Sequence, residues 1–141
     1  MELEPAGWLD AERPCLGLGA VLYFGFQASC PGSAAAAARV REVLEQAREQ
    51  HVELAAVLVH ARFESAALHP DTAALAFVER NGLAGLPLCT DATWLKRMSA
   101  PGTPWVVIAS ESGTVLLEDV LPGVEEAIEA IRGCRTAVTA S

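Results

Sequence analysis

The chain has 141 residues, of which 52% are hydrophobic, with a formal net charge of −8 and a sequence pI of about 4.8. These values predict one globular domain with one core, and the acidic balance disfavours nucleic acid and anionic membranes as partners. The longest apolar run, residues 16–26, is too short to span a bilayer. The acidic N-terminus lacks the basic region of a secretory signal, which predicts a cytoplasmic protein.

The first half of the chain alternates strand and helix patterns. Residues 20–26 and 52–60 are predicted as buried strands because they are apolar and rich in β-branched or aromatic residues. Residues 32–50 carry one apolar stripe at helical spacing. A loop over residues 61–70, with Arg62 and Glu64 either in contact with a partner or solvated, leads to a helix over 71–80. Asp71 is predicted as its N-cap and Asn81-Gly82 as its left-handed end.

The second half predicts a short strand over residues 86–90, a short helix over 92–98 capped by Asp91, and a β-hairpin. The hairpin joins strands at 105–110 and 114–120 through Ser112-Gly113. The last helix is predicted to open at Pro122-Gly123 and to end at Gly133. The predicted fold class is therefore α/β, a central mixed sheet flanked by helices on both faces. The predicted organisation is an N-terminal extension, one domain and a C-terminal tail, with the boundaries 1–19, 20–133 and 134–141.

Cys30 is the candidate reactive residue. It lies where the first buried strand gives way to a helix that begins with Pro31, a residue favoured in the first helical turn. Free N–H groups and the helix dipole at such a place favour a thiolate, so Cys30 is predicted to be the most acidic of the four thiols. The alternative is a buried cysteine that acts only as a small hydrophobe.

The other candidate residues have plainer interpretations. Cys89 ends the short third strand and could resolve a mixed disulfide at Cys30, but an inert core thiol is the competing interpretation. Cys15 and Cys134 are interpreted as surface thiols. The four cysteines form no Cys-x-x-Cys pair, and neither their spacing nor that of the histidines predicts a metal site. Three histidines are interpreted as surface or strand-end residues and two tryptophans as packing residues, namely His51, His60, His69, Trp94 and Trp105.

Three segments in this order resemble the thioredoxin-like superfamily. The strand with Ala28-Ser29-Cys30-Pro31-Gly32-Ser33 is similar to the family's active-site segment, Phe-Trp-Ala-x-Trp-Cys-x-x-Cys. Gly102-Thr103-Pro104 resembles its cis-proline loop, and residues 105–120 resemble the hairpin that follows. Residues 71–90 resemble the insertion of tryparedoxins, nucleoredoxin-like proteins, peroxiredoxins and membrane-anchored thioredoxin-like reductases. The resemblance covers residues 20–132 and implies a thioredoxin-like fold with a cis Thr103–Pro104 bond.

The departures from the family pattern concern the site itself. Ser33 replaces the second cysteine, and Ser29 replaces the aromatic residue before the first one. Tyr23 and Phe24 occupy the region where many thioredoxins carry a buried acid. Gln27 stands where peroxiredoxins need a threonine or serine, which disfavours peroxidase chemistry. Ser33 could still donate a hydrogen bond to a thiolate at position 30 and so favour the charged form.

The resemblance implies thiol–disulfide exchange, with Cys30 as nucleophile and Ser33 as a stabiliser of its thiolate. Thr103 and Pro104 would shape the substrate groove. A site with one cysteine needs an external thiol to release a mixed disulfide, so the expected partners are protein thiols or low-molecular-weight thiols. The alternative is a redox-inactive binding or structural subunit of a protein complex that keeps the fold. No cofactor, metal, nucleic acid or membrane is predicted to take part.

Overall fold

A computed structural model describes residue 5, residues 19–61 and the backbone of residues 70–140, with side chains from 71 to 133 in the last segment. Its elements are β1 (Ala20–Phe26), α1 (Pro31–Glu49), β2 (Leu54–His60), α2 (Pro70–Arg80), β3 (Leu88–Thr90), α3 (Trp94–Arg97), β4 (Trp105–Ala109), β5 (Val115–Asp119) and α4 (Val124–Ala140). The strands form one sheet in the order β3-β2-β1-β4-β5. β1, β2 and β3 are parallel, whereas β4 is antiparallel to both β1 and β5. The predicted mixed α/β sheet is confirmed.

Several predictions concern residues outside these ranges. They are the N-terminal extension with Cys15, the loop residues Arg62, Glu64 and His69, and the side chain of Cys134. No helix within the described ranges is both long and apolar enough to cross a membrane.

The central strand β1 separates two cores because its side chains alternate between the two faces of the sheet. Leu22, Phe24 and Phe26 point into the larger core, which is shared with α1, α2 and α4. Val21 and Tyr23 point into the smaller core, which α3 covers with Trp94, Leu95 and Met98. Helices therefore cover both faces of the sheet, as predicted.

Four strands have one of their ends at the same side of the sheet. Phe26, His60 and Thr90 lie side by side as the last residues of the three parallel strands. β4 starts at this same edge, with Trp105 opposite Gly25. The turn that follows β1 and the loop that precedes β4 consequently meet here, and in open α/β sheets ligands bind outside the carboxyl ends of the strands.

The predicted boundaries of α4 and α2 are wrong. The last helix does not end at Gly133 but continues to Ala140, across the predicted boundary between the domain and the tail. A single glycine costs a helix only about 1 kcal/mol, and no proline follows it to stop the chain. Asp71 is not an N-cap, because α2 already begins at Pro70, a residue well suited to the first helical position. Its carboxylate instead accepts a hydrogen bond from Thr90 Oγ1 at 2.9 Å and so connects α2 to β3.

Asp91 closes the turn before α3 instead of capping a longer helix. The helix begins at Trp94 with Thr93 as its N-cap, later than predicted. Asp91 Oδ1 accepts hydrogen bonds from the amide and the hydroxyl of Thr93, at 3.0 and 2.9 Å. Its other oxygen forms an ion pair with Arg97. Asp91 is buried, so this pair fixes a short helix that has few hydrogen bonds of its own.

Gly25 is required where β1 crosses under α3. A Cβ atom at this position would lie 2.5 Å from Cζ3 of Trp94, whose ring is fully buried and cannot move aside. We expect Gly25→Ala to destabilise the protein by about 1–3 kcal/mol, the usual cost of overpacking a core. The matched control is Gly133→Ala, where an added Cβ meets nothing within 4 Å and the helix gains propensity. Urea unfolding of the two variants measures both effects, and equal midpoints would contradict the packing argument.

Candidate functional site

Cys30 is the N-cap of α1 and lies directly after the turn that leaves β1. Its amide donates to the Gln27 carbonyl at 3.0 Å, which closes the turn. Its own carbonyl accepts from the amides of Ser33 and Ala34, which begins the helix, and Pro31 is in the first helical turn. The predicted junction of strand and helix is therefore confirmed. The thiol is free and only partly buried, as attack on a disulfide requires.

The surroundings of the Cys30 sulfur favour the thiolate. Burial raises the pKa of Cys30, but hydrogen bonds from the amide and hydroxyl of Ser33, the amide of Gly32 and the hydroxyl of Thr103 outweigh burial. The pKa is therefore lower than that of an ordinary cysteine. Hydrogen bonds to the charged form are the physical cause, and no charged side chain among the described residues contributes. Lowering the pKa places more of the nucleophilic form at neutral pH.

Ser33 is fully buried beneath Cys30. Its hydroxyl accepts a hydrogen bond from the Gln27 amide at 3.1 Å, which leaves its single hydrogen for the Cys30 sulfur. The serine thus satisfies the first backbone N–H beyond β1 and at the same time stabilises the thiolate. An alanine at this position would leave that buried N–H without its acceptor.

Thr103 and Pro104 lie beside this turn, and the bond between them is cis, as predicted. An ideal Cβ atom built on Gly32 would lie 3.4 Å from Cδ of Pro104 and 3.6 Å from Sγ of Cys30. The proline ring and the sulfur therefore lie on either side of an exposed glycine that leaves the space between them open.

Gln27 contacts the residues around Cys30 in a way that the sequence pattern does not predict, since the pattern only disfavours peroxidase chemistry. Its backbone holds the turn through Cys30 and Ser33, and its side chain donates to Ser29 Oγ at 3.4 Å. The same carboxamide accepts from Thr103 Oγ1 at 3.5 Å. Gln27 therefore contacts both the turn that carries the thiol and the cis-proline loop. Its position directly after β1 was the one signal in the sequence that could have indicated this.

Cys89 is a buried thiol on β3, two strands away from β1. Its side chain belongs to the smaller core under α3, and its thiol donates to the Leu58 carbonyl at 3.4 Å. Burial, with the Asp91 carboxylate as a second cause and Arg97 acting in the opposite direction, raises the pKa of Cys89 to about 12. A buried, protonated thiol is a poor nucleophile, so these features favour the interpretation of Cys89 as a core residue over that of a resolving thiol.

The raised pKa of Cys89 predicts a loss of stability at alkaline pH. The folded protein keeps this proton up to pH about 12, whereas the unfolded chain loses it near 9.0, the unperturbed value. The contribution to stability is therefore complete below pH 9 and is lost as the pH rises towards 12, at up to about 1.4 kcal/mol per pH unit. We expect the difference in unfolding free energy between wild type and Cys89→Ala to be constant below pH 9 and to shrink above it. A constant difference up to pH 11 would contradict this account.

The remaining polar residues near this edge have structural contacts. Nη2 of Arg80, from α2, donates to the Ala28 carbonyl at 3.4 Å and so contacts the turn before Cys30. His60 ends β2, as predicted, but it is buried and stacks on Phe26 at 5.2 Å, so its interpretation as a surface residue is wrong. The aromatic neighbour on the next strand explains its burial. Trp94 is a core residue, as predicted.

Among the described residues no cluster of three or more His, Cys, Asp or Glu side chains could hold a metal ion.

Comparison with known proteins identifies the fold. No family model matches the chain, and no curated protein matches it. MTB DsbF, solved in mixed oxidised and reduced forms, is similar in structure with a TM-score of 0.68 and 16% identity, over 93% of this chain and 94% of that one. A thioredoxin-like protein from Aeropyrum pernix is similar with a TM-score of 0.62 and 15% identity, over 81% and 76% of the two chains. A thiol-disulfide isomerase from Corynebacterium glutamicum is similar with a TM-score of 0.61 and 20% identity, over 92% and 89%.

These likenesses agree with the sheet order, the helix at the carboxyl end of β1 and the cis-proline loop. The chain has a thioredoxin-like fold, which confirms the resemblance found in the sequence. The turn after β1 carries a single cysteine in Cys-Pro-Gly-Ser and a glutamine, Gln27, three residues before that cysteine.

Proposed function

We propose that the protein carries out thiol–disulfide exchange through Cys30 as a site with one active thiol. The observation that carries this proposal is the partly exposed sulfur at the N-cap of α1, whose pKa is lowered by hydrogen bonding with Ser33, Gly32 and Thr103 around it. The similarity in fold to a solved thiol-disulfide isomerase supports it. Thr103 and Pro104 border the approach to the sulfur and are assigned to substrate binding.

The exchange proceeds in two steps. The Cys30 thiolate attacks one sulfur of a disulfide, a new S–S bond forms, and the other sulfur leaves as a thiolate. An external thiolate then attacks the substrate sulfur of the mixed disulfide and regenerates Cys30. The net result is an exchange: one substrate sulfur is released as a thiol, the other ends in a new disulfide with the external thiol, and the numbers of thiols and disulfides are unchanged, so electrons balance. Ser33 cannot perform the second step because a hydroxyl is not a redox group.

The partners of this reaction are protein disulfides and low-molecular-weight thiols. The proposal includes the cytoplasmic location predicted from the sequence, where such thiols are abundant and cysteines are mostly reduced. Cys89 is assigned no step, because its sulfur is buried and hydrogen-bonded on another strand.

A redox-inactive binding subunit is the second candidate function. Ser33 favours it, because its hydroxyl satisfies the Gln27 amide and shows that the second sulfur is not needed for the fold. In this case the groove beside Pro104 would hold a partner without covalent chemistry.

Intact-mass spectrometry after incubation with oxidised glutathione separates the two functions. The protein used carries Cys15→Ser and Cys134→Ser, and we expect it to form one glutathione adduct at neutral pH that reduced glutathione removes and that Cys30→Ser abolishes. Cys89→Ser in the same background is the matched control and should still form the adduct. An adduct that persists with Cys30→Ser, or no adduct when Cys30 is present, would contradict the exchange function and favour the binding subunit.

A further inference from the structure

The two segments that surround the Cys30 sulfur carry no charged side chain of their own. Residues 27–38, which form the turn after β1 and the first part of α1, contain no acidic or basic residue. Residues 98–110, which include the cis-proline loop, contain none either. A charge that takes part in recognising a substrate must therefore come from another element, and Arg80, the last residue of α2, brings one to the turn.

The Arg80 side chain reaches from α2 to the turn that carries the thiol. Its Nη2 donates to the carbonyl of Ala28, 52 residues away in sequence, at 3.4 Å. The Cys30 amide closes this turn by donating to the Gln27 carbonyl at 3.0 Å. Because Ala28 and Cys30 are two residues apart, their Cα atoms lie within about 7.6 Å of each other. The guanidinium is thus placed near the thiol, at a distance that a small molecule can span.

This contact does not cap the helix to which Arg80 belongs. The end of α2 is closed by its own backbone, since the amides of Asn81, Gly82 and Leu83 donate to carbonyls of its last turn at 3.0, 3.4 and 2.9 Å. The carboxamide of Asn81 adds a hydrogen bond to the Phe77 carbonyl at 2.8 Å. Arg80 therefore extends away from its own helix end and donates to a different segment of the chain.

The Arg80 guanidinium can bind an anion while it contacts the turn. It has five N–H donors in a planar fork, and the hydrogen bond to Ala28 uses one of them. Arg80 is exposed, so a solute can reach the other donors. A planar fork of this kind matches the two oxygens of a carboxylate, which it binds through paired charge-assisted hydrogen bonds.

We propose that Arg80 is a specificity-determining residue that binds a carboxylate of small disulfides as they react with Cys30. The substrate class is low-molecular-weight disulfides with a carboxylate about one or two residue lengths from the sulfur, roughly 3–7 Å. This inference deepens the proposed function and rests on it. The formal net charge of −8 repels such anions from the protein as a whole, and a cation beside the thiol offsets that repulsion where the reaction occurs.

Arg80 assists the first step of the exchange and takes no part in its bond changes. The Cys30 thiolate forms a bond to one substrate sulfur, the substrate S–S bond breaks, and the other half leaves as a thiolate. Hydrogen bonding with Ser33, Gly32 and Thr103, and not the charge of Arg80, lowers the pKa of Cys30. Removal of Arg80 should therefore leave the thiolate unchanged and weaken only the binding of anionic substrates.

The test compares three small symmetric disulfides of similar size: anionic 3,3′-dithiodipropionate, neutral 2-hydroxyethyl disulfide and cationic cystamine. The protein carries Cys15→Ser and Cys134→Ser, Cys89 is buried, and intact-mass spectrometry at neutral pH follows the mixed disulfide at Cys30. We expect Arg80→Gln to slow the reaction with dithiodipropionate about three- to fivefold at low salt, as the loss of one exposed ion pair would. High salt should shrink this effect. The rate with 2-hydroxyethyl disulfide should change little, and the rate with cystamine should not fall.

Arg48→Gln is the matched control, because it removes the same charge in the last turn of α1, about 27 Å along the helix from Cys30. It should leave all three rates unchanged. Arg80→Lys keeps the charge without the planar fork and should recover only part of the rate with dithiodipropionate. Thermal unfolding confirms that each variant is folded.

Three results would overturn the role of Arg80. They are equal slowing of all three disulfides in Arg80→Gln, slower alkylation of Cys30 by iodoacetamide in that variant, and an equal effect of Arg48→Gln. Arg80 would then act through the turn, through the thiolate or through net charge alone. Reaction with all three disulfides at rates that do not depend on Arg80 contradicts only this inference, whereas a protein with Arg80 intact that reacts with none of them contradicts the exchange function itself.

Discussion

Ser33→Cys is expected to raise disulfide-reductase activity by about a hundredfold or more with a dithiol-recycling reductase. The Ser33 side chain already lies within hydrogen-bonding reach of the Cys30 sulfur, so a sulfur placed there can attack a mixed disulfide from within the molecule. Oriented intramolecular reactions reach effective molarities far above the concentration of any external thiol. The wild-type protein should be slow in the same insulin-type assay, because release of its mixed disulfide waits for an external thiol.

The matched control for this gain is Ser29→Cys, which adds a thiol on the exposed side of Cys30 without the position that Ser33 has in the first helical turn. It should gain far less. A small cost is expected in Ser33→Cys, because sulfur is a weaker acceptor than oxygen for the Gln27 amide. A folded Ser33→Cys protein without any gain, together with no partner trapped through Cys30, would show that the groove is not a redox site.

Asp91→Ala should lower the free energy of unfolding by about 2–4 kcal/mol. The substitution leaves the Arg97 guanidinium without its ion-pair partner and removes both hydrogen bonds of Thr93. Breaking a buried pair from one side costs about 3–5 kcal/mol, and the cost is lower here because 27% of the Arg97 side chain is exposed. The turn before α3 would loosen, so the contact of Trp94 with Tyr23 would weaken as well.

Asp119→Ala is the control, since its carboxylate accepts a hydrogen bond from the exposed amide of Val120. It should cost about 0.5 kcal/mol or less. Denaturant unfolding of the two variants gives the comparison. A loss below about 1 kcal/mol in Asp91→Ala would mean that water replaces the pair and that α3 is held by packing alone.

Much of the fold was predictable because the signals are local. The apolar runs that became β1 and β2, the helix between them, and Gly82 and Gly113 with their positive φ angles were all placed from the sequence. The errors concern weaker signals. Gly133 is a weak stop, because a single glycine costs a helix only about 1 kcal/mol and no proline follows it. Asp71 looked like a cap because the pattern does not show that Pro70 begins the helix or that Thr90 offers a hydroxyl from another strand.

The backbone geometry of the candidate site was predictable to a similar extent. Cys30, Ser33 and the cis bond before Pro104 follow from motifs read along the chain. The contact between Gln27 and Thr103 does not, because the two residues are distant in sequence and are brought together by the antiparallel pairing of β1 and β4. The burial of His60 escaped prediction for the same reason, since it depends on its neighbour across the sheet, Phe26.

The rate of Cys30 alkylation as a function of pH tests the central claim most directly. It is measured with iodoacetamide in the Cys15→Ser, Cys134→Ser protein, with modification of Cys30 followed by mass spectrometry. The hydrogen bonds to the sulfur predict a midpoint clearly below that of a free cysteine, about 8.5, and little change between low and high salt, because no charged side chain of the described ranges supports the thiolate. A midpoint at or above about 8.5 would contradict a stabilised thiolate at Cys30 and with it the assignment of this residue as the nucleophile.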